Sequence, residues 1–128
     1  MIKKLLVVIV FSLFIGTSAN AEWERIGKTN LGDTYFADFE NIKIEGKFIH
    51  YWEFLQYGEP TEGYSSHKIY QKINCDNYSI KPLRFIFYID KRGLSRGDTQ
   101  ESLIDHWTPI PRDSVTFEAA VILCRKVK

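Results

Sequence analysis

The chain has 128 residues, with 17 Lys and Arg against 16 Asp and Glu and a formal net charge of +1. A charge so near zero gives no electrostatic case for nucleic acid or an anionic membrane as partner. The length fits one domain, and no Pro/Gly/Ser-rich linker, low-complexity tract or internal repeat divides it.

The chain opens MIKKLLVVIVFSLFIGTSANA. Lys3 and Lys4 precede an apolar run from Leu5 to Ile15, and Ala19-Asn20-Ala21 follows as an A-x-A cleavage site, the three parts of a secretory signal peptide in order. The run is short of the roughly 20 residues that span a bilayer. The expected domains are a signal peptide over 1–21 and one folded domain over 22–128. Losing Lys3 and Lys4 leaves 15 Lys and Arg against 16 Asp and Glu, a net charge of −1. Residues 16–22 read GTSANAE, without the cysteine that a lipoprotein carries at its cleavage site, so a soluble periplasmic protein is expected.

In the mature chain, strand signals come first. Trp23–Ile26, Asp33–Asp38 and Ile42–Glu45 read as short strands, and Glu45-Gly46 as a tight hairpin turn. Phe48–Tyr57 (FIHYWEFLQY) is the strongest signal. One face carries Phe48, His50, Trp52 and Phe54, the other Ile49, Tyr51, Glu53, Leu55 and Tyr57, so a central strand is expected. Gly58–Gly63 reads as a loop. Tyr64–Asn74 and Pro82–Ile89 read as strands, Gly97–Glu101 as a loop, and Asp105–Thr108 as a last short strand. Asp113 or Ser114 then supplies an N-cap, and Phe117, Ala120, Val121 and Cys124 fall on one helical stripe facing the sheet. The expected fold is α+β: a single antiparallel sheet of about six strands with a C-terminal helix packed on one face.

The two cysteines, Cys75 and Cys124, are expected to pair, because an exported protein meets an oxidising compartment. A CxxC redox pair is absent, and a zinc site would need more thiols or imidazoles nearby.

No catalytic residue is predicted. Ser66 and His67 are neighbours on a strand and point to opposite faces, so they cannot act as nucleophile and base, and no GxSxG elbow exists. His50, His67 and His106 lack metal-ligand spacing, and no metal or cofactor is predicted. The carboxylate pairs Glu59/Glu62 and Asp98/Glu101 read as solvated charge. Phe, Trp and Tyr make up 15% of the chain. Tyr51, Tyr57 and Tyr64, with Gly58–Gly63, form the candidate contact surface, since tyrosines in polar company mark partner contacts.

The landmarks Trp23-Glu24-Arg25-Ile26, Tyr35-Phe36-Ala37-Asp38, HYWEFLQY (50–57), Lys68 before Cys75, Trp107-x-x-Ile110-Pro111 and the helix closing on Cys124 resemble, in order and spacing, the surface-adhesin protein E-like domain of Gram-negative bacteria. The resemblance implies a sheet of about six strands, a packed helix and a Cys75–Cys124 disulfide. The family's namesake is a lipid-anchored surface protein that dimerises and binds host extracellular-matrix and plasma proteins. The resemblance therefore implies a non-enzymatic binding protein, with a host or envelope protein as partner and a homodimer as a candidate assembly. Without a lipobox cysteine the alternative is a soluble periplasmic ligand- or metal-binding protein.

Overall fold

The computed structural model describes residues 21–127. The expected signal peptide therefore lies, but for its last residue, outside the described residues. Eight strands, β1 (Trp23–Lys28), β2 (Thr34–Asp38), β3 (Lys43–Glu45), β4 (Phe48–Thr61), β5 (Tyr64–Asn74), β6 (Ser79–Tyr88), β7 (Asp98–Glu101) and β8 (Thr108–Pro109), are followed by helix α1 (Val115–Cys124) and one 3-10 turn (Arg125–Val127). All strands join one antiparallel sheet in the order β1-β2-β4-β5-β6-β7, with β3 paired to β4 and β8 to β6. This is the expected α+β fold, its main path having six strands.

β4 is central, as its apolar residues on both faces require. It runs four residues past its expected end. The predicted loop 58–63 shrinks to Glu62 and Gly63, whose φ angles of 52° and 84° give the left-handed pair that a two-residue hairpin needs. Gly58–Pro60 are absorbed by an irregularity in the β4–β5 register between Gln56 and Thr61. Residues 98–101 are likewise strand, not loop. DTQE is exposed at every position, so it has no apolar alternation to read, and its pairing to β6 is what orders it.

The core lies between the sheet and α1. Ala37, Ile49, Tyr51 and Ile73 from the sheet meet Ala119, Ala120, Leu123 and Cys124 from the helix. The helix is turned from the expected stripe: Ala119 and Leu123 join Ala120 and Cys124 as buried residues, while Phe117 and Val121 flank the seam half-buried. Two alanines let the helix approach closely, and Phe117 instead packs on Tyr78, with ring centroids 5.2 Å apart.

Cys75 and Cys124 form a disulfide, Cα–Cα 5.5 Å, which ties the β5–β6 turn to the last residue of α1. Ser114 is the N-cap: its Oγ accepts from Phe117 N (3.2 Å) and donates to Pro111 O (2.6 Å). Ser114→Ala is expected to cost about 1 kcal/mol in urea unfolding, the usual effect of removing a cap.

Candidate functional site

Helix α1 covers only part of its face of the sheet. Beyond its N-terminus, Tyr35, Leu55, His67 and Ile69 line a cleft of about 330 Å³, walled by Ser114, Thr116 and Pro109–Pro111. Glu53 is at its floor, 3% exposed. Its Oε2 accepts from the Tyr51 hydroxyl (2.7 Å) and from Gln71 Nε2 (3.2 Å), and its Oε1 from Thr116 Oγ1 (3.2 Å). Three donors surround the carboxyl and none of them is charged. Burial pushes its pKa up to about 7, against the opposing pull of the Tyr51 and Thr116 hydrogen bonds.

His67 lies in the same cleft. Burial pushes its pKa down to about 4, so the ring is neutral at pH 7. Its Nδ1 shares a 2.6 Å hydrogen bond with the Tyr57 hydroxyl, and its ring packs edge-on to Tyr57 and Phe87. Tyr64 stacks at a tilt on Phe87 (5.4 Å) and donates to Asp98 Oδ2. Tyr57, Tyr64 and Phe87, with Thr61, Glu62 and Gln100, frame a shallow hollow of about 180 Å³ beside the β4–β5 turn.

Of the three predicted contact tyrosines, two come together there. Tyr51 does not. It is fully buried under α1, its hydroxyl donating to Glu53 and accepting from Gln71, so it belongs to the core and cannot meet a partner. Its alternation placed it correctly with Ile49 and Glu53. Aromatic content on both faces of β4 hid which face the helix covers. Glu53 was missed as a site residue, although its signal was present: a lone acid in the apolar alternation Ile49, Tyr51, Glu53, Leu55.

Ser66 is buried and donates to Asp90 O (2.6 Å), on the sheet face opposite His67. His50 and His67 also lie on opposite faces, and His106 is exposed in the segment before β8. Among the described residues no three His, Cys, Asp or Glu side chains are grouped to hold a metal ion. Asp98 and Glu101 lie on β7, engaged by Tyr64 and Arg84.

Among the described residues no helix covers the second face of the sheet. It carries Phe48, His50, Trp52 and Phe54 from β4, Lys68, Tyr70 and Lys72 from β5, and Phe36 from β2. Trp52 packs on Tyr70 (5.0 Å), Trp23 on Phe54 (5.4 Å) and Trp107 on Phe48 (5.6 Å).

A helix tied by a disulfide to one face of a sheet, with clustered, partly buried rings on the other, defines a small stapled α+β module. The profile of the family described as surface-adhesin protein E matches residues 23–125, and the chain belongs to that family. Among solved structures, Haemophilus influenzae protein E is 23% identical, with 87% of this chain and 89% of that one covered and a TM-score of 0.60. Protein E from non-typeable Haemophilus influenzae is also 23% identical, with 85% and 79% covered and a TM-score of 0.55. At that identity the likeness establishes the fold. Comparison with curated proteins gives no match. Family membership makes this an adhesin-like protein and points away from catalysis. No described helix is long and apolar enough to cross a membrane.

Proposed function

We propose that the chain is exported after removal of residues 1–21 and acts as a non-enzymatic binding protein whose partner is a protein of the host matrix or of the bacterial envelope. The partner meets the end of the sheet at Tyr57, Tyr64 and the Glu62-Gly63 turn. The observation that carries this reading is the hollow framed by Tyr57, Tyr64 and Phe87, three rings that are only half-buried. Tyrosines of this kind supply large, rigid contact area with a polar tip.

The test is capture of the full mature chain on immobilised host matrix and plasma proteins and on solubilised envelope fractions. The double variant Tyr57→Ser/Tyr64→Ser is expected to lose at least ten-fold in affinity with its thermal midpoint within a few degrees of the parent. Unchanged capture would remove this surface from consideration. Fractionation of tagged cells, with protease added outside, separates the two partner classes: shaving from intact cells selects a host partner, and protection selects an envelope partner.

A further inference from the structure

The helix-free face of the sheet is built of cations set among rings. Lys68 Nζ lies 4.9 Å from the ring centroid of Tyr88, 5.8 Å from Trp23 and 5.9 Å from Phe54. Lys72 Nζ lies 4.5 Å from Phe48 and 6.0 Å from Trp107. Tyr70, between them on β5, packs on Trp52 and on His50. The two lysines are four residues apart on one strand, so their Cα atoms are separated by roughly 13 Å.

Neither lysine forms a direct ion pair, although Lys72 lies near enough to Glu45 to help hold that carboxyl below its ordinary value. Lys43, Lys47, Lys81 and Arg84 each have a carboxylate partner, and the acids Glu45 and Glu101 on this side are taken by Lys43 and Arg84. Among the described residues no carboxylate forms an ion pair with Lys68 or Lys72; rings are their neighbours.

Beside Lys68 a hollow of about 320 Å³ is lined by Trp23, Phe36, Phe54, Gln56, Arg92 and Leu94. Its outer wall is a constructed loop. The Asp90 carboxylate accepts from Leu94 N (2.9 Å) and Ser95 N (3.0 Å), and Ser66 Oγ holds the Asp90 carbonyl. Gly93 has φ +66° and lies against Phe54, where an added Cβ would be 3.2 Å from the ring. The loop thereby brings a third cation, Arg92, to the same hollow.

We propose that this face binds a sulfated polysaccharide, with sugar rings laid on Trp23, Trp52 and Trp107 and sulfate groups held by Lys68, Lys72 and Arg92. Ring faces suit the C–H faces of sugars, and cations spaced along one strand suit an extended polyanion with repeating charges. A second copy of the chain is the competing occupant, and the oligomeric state of the lysine variant selects or excludes it. Host matrix as the source of the glycan rests on the adhesive reading; the site itself does not, and it shares no residue with the tyrosine hollow.

All three tryptophans of the chain lie on this face, so their fluorescence reports directly on it. Heparin titrated into the mature chain is expected to change tryptophan emission, with an affinity that falls as salt rises. Lys68→Gln/Lys72→Gln is expected to weaken it at least ten-fold at unchanged thermal midpoint. Tyr70→Leu, which keeps the charges, is expected to weaken it several-fold with the salt dependence retained. The Tyr57→Ser/Tyr64→Ser variant is expected to bind heparin like the parent, which separates this site from the protein-binding one. The proposal is overturned by absence of heparin binding, or by binding that ignores the lysine substitutions. It is also overturned by equal or tighter binding of oligo-dT, which would make the face a single-strand nucleic-acid platform. A dimer in sedimentation that dissociates on the lysine substitutions would instead assign the face to a second copy.

Discussion

Removing the disulfide, as Cys75→Ser/Cys124→Ala or by reduction, is expected to lower the thermal midpoint by about 15 °C. The bridge spans 49 residues of sequence. Closing a loop of that size restricts the unfolded chain by roughly 4 kcal/mol on the chain-entropy account, and a domain of about 100 residues shifts by roughly 4 °C per kcal/mol. The native state depends on it as well. The helix seam is narrow, built on two alanines, Leu123 and Cys124 itself, so little else holds the C-terminal turn of α1 to the β5–β6 corner. Circular dichroism melts with and without a phosphine reductant measure the shift. A shift under 3 °C would mean that packing alone seats the helix.

Opposed pH dependences from the two titratable groups of the cleft form the second large effect. Glu53 holds its proton up to about pH 7 in the fold, against an ordinary value of 4.5. Between those values the folded protein is protonated where the unfolded chain is not. This contribution is therefore full below pH 4.5 and is lost as pH rises through 7. His67 behaves inversely: about 4 in the fold against 6.5 unfolded, so its contribution is full above pH 6.5 and is lost as pH falls through 4. Each gap corresponds to about 3 kcal/mol. Between pH 4.5 and 6.5 the two slopes offset one another. Glu53→Gln is expected to expose the histidine, with stability rising by about 3 kcal/mol from pH 4 to 6.5. His67→Gln is expected to expose the acid, with stability falling by a similar amount from pH 4.5 to 7. Urea unfolding at pH 4 to 8 measures both, and parallel curves for the two variants would refute the assignment.

The strands that bury side chains were legible in the chain. β4, β5 and β6 announce themselves through alternating rings and branched residues, and the pairing of Cys75 with Cys124 was expected from two thiols behind a signal-peptide-like start. β7 was illegible because DTQE is wet on both sides, and its order comes from the partner strand alone. The helix was placed correctly but its face was not. Residues 115–124 read VTFEAAVILC, apolar nearly all round, so several stripes fit equally well and the disulfide and the alanines decide among them. The same ambiguity misplaced Tyr51. A strand with rings on both faces does not say which face will be roofed, and the roof is supplied by a segment more than 60 residues away. The Lys68–Lys72 track was equally hidden, since it needs rings from β1, β4, β6 and the segment before β8 to meet on one surface.

The sheet's connectivity orders its assembly in time. β4 and β5 are joined by two residues, and β5 and β6 by four, so the three longest strands can zip as successive hairpins before any distant segment arrives. Short-range closures of this kind are fast, because little loop entropy is lost at each step. Helix α1 docks on a surface that is already paired, and thiol oxidation follows the docking. The refolding chain is thus expected to pass through a sheet whose Tyr51, Ile49 and Ile73 are unroofed until α1 arrives, a sticky species whose lifetime is set by helix docking, with the disulfide locking the docked state afterwards.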